Sequence, residues 1–179
     1  MCHQSRRLCG RSVELRSYSR SVSTGDDLRA LMRSFPAGVA VLTIDHGRER
    51  VGLTVSAILS LSLSPPLIGV SVAMQAAMHE LLRGADGFAL SLLAGDQERL
   101  AQHFARGVPP LVMWKGIELL ERESSAPLLA DALGWIECSL VFDVAVGDHT
   151  LFIGGVEQVE QGRVGAGPLI HHGRDYRTI

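Results

Sequence analysis

Gly147-Asp148-His149-Thr150-Leu151-Phe152-Ile153-Gly154 is the stretch from which the fold is read. Gly-Asp is turn chemistry, and the segments on either side, Trp135 to Val146 and Thr150 to Val159, are strand-like. The stretch therefore predicts a long β-hairpin. It also sets His149 at the entrance of a strand, which places a polar side chain at the rim of a β-structure. Rims of barrels are where ligands usually sit. Taken alone, the tripeptide reads more simply as an ordinary hairpin turn.

Working outward, Val39 to Ile44 reads as a strand and Asp45-His46-Gly47-Arg48 as a turn. A second strand starts near Val51 and leads into a serine-rich stretch. Leu67 to Met74 is a continuous apolar strand, the pattern expected when both faces are covered, and Phe88 to Leu93 is another. Helices are expected over Leu28 to Phe35, capped by Asp26 and Asp27, over Ala76 to Gly84, and over Gln97 to Ala105 behind Asp96. Val108-Pro109-Pro110 breaks the last of these, and Pro168 to Tyr176 closes the chain. Strands outnumber helices and do not alternate with them, so a doubly wound sheet is not expected. A mainly β fold, a small barrel with flanking helices, fits better, because closure removes exposed strand edges.

A chain of 179 residues with net charge −2 reads as one folded domain without the basic face that phosphate backbones require. Nucleic acid is thus not an expected partner. No apolar run approaches the ~20 residues of a membrane-spanning helix. Residues 1–25 carry Arg6, Arg7, Arg11, Arg16 and Arg20 against Glu14 alone, and they read as a basic, disordered leader ahead of a domain over 26–179. Of the three cysteines, Cys2 and Cys9 lie in the leader and Cys138 inside a strand. None forms a C-x-x-C pair, which suits a reducing cytoplasm and predicts no metal site.

The chain has no G-x-G-x-x-G after a strand, no P-loop, no H-E-x-x-H and no G-x-S-x-G. Thr54, Ser56, Ser60, Ser62 and Ser64 fall at even positions, the period of one face of a strand. That row is either a solvent face or a set of small donors that lets a flat ligand approach the backbone.

Three segments in order, Phe35-Pro36-Ala37-Gly38-Val39, the run from Gly52 to Leu67 containing Thr54-Val55-Ser56-Ala57, and Gly147-Asp148-His149-Thr150-Leu151-Phe152, resemble the flavin reductase family. These are the small NAD(P)H-dependent reductase components of two-component flavin monooxygenases. The resemblance runs from about Asp26 to the C-terminus. It implies an FMN-binding split barrel acting as a homodimer, with FMN or FAD and NADH or NADPH as cofactors and a flavin-dependent monooxygenase as partner. It implies flavin contacts at Thr54, Val55, Ser56, Ala57, Ser60 and Leu61, and contacts to the ribityl and phosphate groups at Gln75, Ala76 and His79. His149 is the implied nicotinamide-side catalytic residue, with Gly147 and Asp148 shaping its turn.

Three segments depart from the family pattern. Met78 stands where a threonine or serine is commoner, and no arginine or lysine follows before Arg83. Val108 to Glu118 is short and proline-rich. In the tail, His172 and Arg174 align with a segment that usually pairs a basic residue with a glycine and a tyrosine, but the order is altered and Asp175 intrudes. His171 and His172 point to opposite faces of a strand, which argues against a shared metal. The alternative class is a split barrel that holds flavin without reducing it.

Overall fold

The computed structural model describes residues 23–47 and 49–179, so the leader lies outside the described residues apart from its last three positions. The chain divides into two compact units at Met32–Arg33. In the first, helix α1 spans Gly25–Met32. It begins earlier than expected because Thr24, not Asp26 or Asp27, is the cap. The Thr24 hydroxyl accepts the Asp27 N–H at 3.2 Å, while the Asp27 carboxylate accepts the Thr24 N–H at 2.7 Å, a reciprocal pair that satisfies two donors of the first turn.

The second unit is built on ten strands: β1 (Ala37–Gly38), β2 (Ala40–His46), β3 (Glu49–Val55), β4 (Ile58–Leu63), β5 (Pro66–Ala73), β6 (Gly87–Leu92), β7 (Gly134–Val146), β8 (His149–Gln161), β9 (Leu169–His172) and β10 (Asp175–Thr178). Among the described residues three helices flank them: α2 (His79–Gly84), α3 (Glu98–Ala105) and α4 (Pro110–Met113). Seven strands form one antiparallel sheet in the order β3-β2-β6-β7-β8-β5-β4, and β1, β9 and β10 form a second. β3 and β4 sit at opposite edges of the larger sheet yet are joined only by Ser56-Ala57. Laid flat, seven strands are roughly 29 Å across, whereas Val55 to Ile58 can span at most roughly 11 Å. The sheet must curl until its edges meet. Closure is made by the chain and not by a ladder, which is the split of a split barrel.

Bulges at Glu137/Cys138 and Leu140/Phe142 bend the 13-residue β7 against β8 and supply part of that curl. The core lies inside it, with Phe88, Phe152, Leu42, Leu90 and Val70 fully buried. Gly154 allows the Phe88 ring to reach the β7–β8 ladder, since a Cβ there would stand 2.6 Å from it.

Several expectations need correction. Thr54, Ser56, Ser60, Ser62 and Ser64 do not share one face, because the run breaks at Ser56-Ala57 and a second irregularity lies between Ser60 and Ser62. The helix expected from Ala76 starts at His79, after a turn in which the Ala76 N–H bonds to the Ala73 carbonyl. The stretch expected only to break α3 forms α4, with Pro110 at its first turn, where a missing N–H costs nothing.

The long loop between α4 and β7 is tied down by polar groups. Thr43 donates to the Pro127 carbonyl at 2.7 Å, Trp135 Nε1 donates to Leu129 O at 2.8 Å, and Leu129 N–H reaches Ser91 Oγ at 3.0 Å. Buried Glu137 accepts from Arg122 Nη2 at 2.6 Å and from the Ser125 backbone N–H at 3.0 Å. Burial works to raise its pKa, but these bonds outweigh it and hold the carboxyl below its ordinary value. A carboxyl lowered in the folded state stabilises above its unfolded pKa and loses that contribution as pH falls through the folded value. We therefore expect Glu137→Gln to cost roughly 1.5–3 kcal/mol at neutral pH. Urea titrations at a series of pH values should show the gap between variant and parent closing below about pH 4.

Candidate functional site

The rim of the barrel at the C-terminal end of β5 gathers most of the residues singled out in the sequence. Ile58 pairs with Val70, and the Ser71 N–H donates to the Ala57 carbonyl at 3.0 Å, so Ser56-Ala57 flanks one side of β5. On the other side, His149 pairs with Ala73. The two features lie about two strand spacings apart, roughly 10 Å. Beyond Ala73, the Met74 N–H donates to the Asp148 carbonyl at 3.0 Å, which hangs the loop Gln75-Ala76-Ala77-Met78 from the hairpin tip.

His149 is the first residue of β8 and pairs with Val146 across a two-residue turn. Gly147 takes φ +62° at the first turn position, a conformation open to glycine that matches strand twist. The His149 side chain is 44% exposed, and its Nδ1 lies 2.7 Å from Asp148 Oδ1. A carboxylate only accepts, so Nδ1 carries the proton and donates. That bond fixes the ring and sets Nε2, on its far side, as the atom offered to a ligand.

The hydroxyl-rich segment divides by role. Thr54 Oγ1 donates to the Ala101 carbonyl of α3 at 2.6 Å, so it anchors a helix. Val55 is buried; Ser56 and Ala57 are exposed. Ser60 is exposed on β4, and Leu61 lies over Gly69 on the sheet's outer face. A cleft of about 270 Å³ joins Ser56 and Ile58 to Gly38, Val39, Leu92 and Leu169. The Phe35 to Val39 motif and the Gly52 to Leu67 run therefore meet at one place. Gly38, Val39 and Ile58 were not among the expected contacts, although Gly38 and Val39 were visible in the motif.

Two groups fall elsewhere. His79 is buried, with Nδ1 2.7 Å from Glu80 Oε1 and Nε2 2.8 Å from Thr150 Oγ1, and its ring meets Phe152 edge-on. Both nitrogens are engaged inside the chain, which corrects its expected role as a phosphate partner. It pins α2 to β8 directly behind His149. His172 ends β9 of the second sheet and Arg174 lies in the turn between β9 and β10; Arg174, at φ +80°, lines a groove with Glu98, Gln102 and Arg106 rather than the cleft at Ser56. Burial and the neighbouring Glu157 and Glu137 push the Cys138 thiol up to about 12, so it packs and does not react.

A curled antiparallel sheet closed by a two-residue crossover places the fold in the split-barrel class. Residues 32–179 match the flavin reductase like domain, and the chain belongs to the flavin reductase family. It is 38% identical over 154 residues to an NADH-dependent FAD reductase of Streptomyces globisporus, covering 82% of each chain. It is also 38% identical over 145 residues to the reductase component of 4-hydroxyphenylacetate 3-monooxygenase from Thermus thermophilus, covering 81% of this chain and 90% of that one. The solved NADH:FAD oxidoreductase of Streptomyces globisporus superposes with a TM-score of 0.81 at 33% identity, covering 91% of this chain and 99% of that one.

If the His79 ring is a positioning group, His79→Leu should strand the buried Thr150 hydroxyl and destabilise the fold by roughly 1–3 kcal/mol. Denaturant unfolding checks this. Unchanged stability with lost flavin affinity would return the ring to the ligand.

Proposed function

We propose that this protein is an NAD(P)H-dependent flavin reductase that passes hydride from the nicotinamide to FMN or FAD and hands the reduced flavin to a partner monooxygenase. The observation that carries the reading is the pair of features flanking β5: small, exposed Ser56-Ala57 on one side and the Asp148-oriented His149 on the other. A planar ring laid against Ser56-Ala57 meets no bulky side chain from these two positions, and the cleft beside Ser56 extends the space. The residues present fit a flavin ring. Membership of the flavin reductase family, and relatives that are an NADH-dependent FAD reductase and a monooxygenase reductase component, support the same conclusion against a passive flavin carrier.

The flavin, when bound, supplies the redox-active ring that accepts hydride; the chain supplies alignment and electrostatics. Asp148 fixes the His149 ring, and Nε2 orients the nicotinamide through its carboxamide. Hydride transfer needs no side-chain acid or base, so His149 is assigned as an orienting group and not as a proton shuttle. Ser56 and Ala57 keep the approach to the backbone open. Among the described residues no helix is long and apolar enough to cross a membrane. We place the enzyme in the cytoplasm.

Two tests follow from these assignments. His149→Ala should lower kcat/KM for NAD(P)H roughly 3- to 100-fold, the range of one neutral or charge-assisted hydrogen bond, with flavin Kd nearly unchanged. Ser56→Val should do the reverse and raise the flavin Kd first. Thr54→Val is a less clean probe because it also releases α3. Steady-state kinetics and flavin fluorescence separate the two, and an unaltered His149→Ala enzyme would reduce Gly147-Asp148-His149 to a hairpin turn.

We further propose a homodimer. The outer face of β4, β5, β8 and β7 exposes Leu59, Leu61, Val141 and Phe142 around the flat positions Gly69 and Gly155. An apolar patch of this kind is costly in water and suits an isologous interface. Sedimentation should give a dimer at micromolar concentration, and Leu61→Asp should convert it to monomer. A fully active parent monomer would contradict this assignment.

A further inference from the structure

Two of the departures noted in the sequence, Met78 and the proline-rich segment beginning at Val108, lie far apart along the chain. The fold brings both to the lining of one cavity of about 520 Å³. Leu53 of β3, Ala77 and Met78 of the rim loop, Val108, Pro109 and Met113 line it, and Glu49 is its one charged lining residue among those described. The Gly52 N–H, 3.1 Å from Met113 Sδ, and the His103 ring, bonded to the Met113 carbonyl at 2.7 Å, hold the α4 wall in place. Gly52 lets Phe104 lie flat under the cavity, because a Cβ there would stand 2.7 Å from its ring.

This wall chemistry is wrong for a terminal phosphate. Ala76, Ala77 and Met78 offer no cation, and Arg83, the next basic residue, is paired with Glu80 at 3.3 Å and with Asp143 at 3.4 Å. Glu49 would repel a dianion. The same walls suit an uncharged, planar heteroaromatic ring: thioethers and aliphatic side chains contact its faces, and the Glu49 carboxylate can accept from an exocyclic amine. The cavity also lies next to the candidate groove along the chain, though the two share no lining residue. It shares Ala76 with the rim loop, and Leu53 is three residues, roughly 10 Å, from Ser56 along the same chain.

We propose that this cavity receives the adenine of a dinucleotide flavin, so that the protein selects FAD over FMN. The proposal rests on the flavin reductase reading above and specifies the substrate of that site. Val108 and Met78 are then specificity-determining residues of this chain. The adenine contributes the binding that the loop's missing cation does not.

The test is binding of FAD and of FMN to the purified protein without nicotinamide, read by flavin fluorescence. The parent should bind FAD at least about tenfold more tightly than FMN. Val108→Trp, which fills the cavity, should raise the FAD Kd to that of FMN and leave FMN within about twofold. Free adenosine in excess should weaken FAD binding and leave FMN binding unchanged, a measurement on the parent that stands even if the variant fails to fold. Equal affinities in the parent, or equal weakening of both flavins by Val108→Trp, would overturn the proposal while reduction of both flavins kept the reductase reading intact. A variant that raises only the KM for NAD(P)H would assign the cavity to the nicotinamide dinucleotide and also overturn it. Failure of the parent to bind either flavin would sink both readings.

Discussion

Ser56-Ala57 is the constraint on which the rest of the structure depends. Two residues must connect strands that the hydrogen-bond order places at opposite edges of a seven-stranded sheet. Only a curled sheet satisfies that distance, and curling creates both the enclosed core and a rim. The crossover then lies at the rim itself, beside the end of β5, so the covalent closure of the barrel is also one wall of the candidate groove. Small residues there suit a tight connection, and under the proposed function they also leave room for a flat ligand.

A barrel closed by chain instead of by a ladder leaves β3 with an unpaired edge, which invites association. Here α3 and α4 cover it. Thr54 bonds to Ala101, Gly52 N–H to the Met113 sulfur, and Trp114 Nε1 to the Arg50 carbonyl at 2.8 Å. The same helices wall the cavity beside the rim. Protection of the edge and construction of a ligand-sized space are thus one arrangement, and a change in either helix should be felt in both.

The network behind the groove is similarly shared. His79 joins α2 to Thr150, and Thr150 is the neighbour of His149 on β8. The imidazole that faces outward is oriented by an exposed carboxylate, whereas the one that faces inward is locked by a hydroxyl and a carboxylate and spends its chemistry on rigidity. Two histidines close to the same rim therefore have different work, decided by burial.

Much of this was legible in the chain. Apolar periodicity marked β2, β5, β6 and the β7–β8 hairpin, Gly147 marked its turn, and the order of the short motifs pointed to the family, because these signals are local and repeat within a strand or a turn. The loss of one hydroxyl face at Ser56-Ala57 escaped because it depends on which strands the crossover joins, whereas the Thr24 cap and the short α4 rest on local bonds that apolar periodicity does not report. The inward turn of His79, the separation of Arg174 from the cleft at Ser56, and the meeting of Met78 with Val108 in the lining of one cavity were decided only in three dimensions. The sequence by itself determined which segments become strands, since pleat and helix period are properties of neighbours along the chain. The tertiary structure decided which side chains meet at the rim and which turn into the core, because that depends on which edges the two-residue crossover forces together.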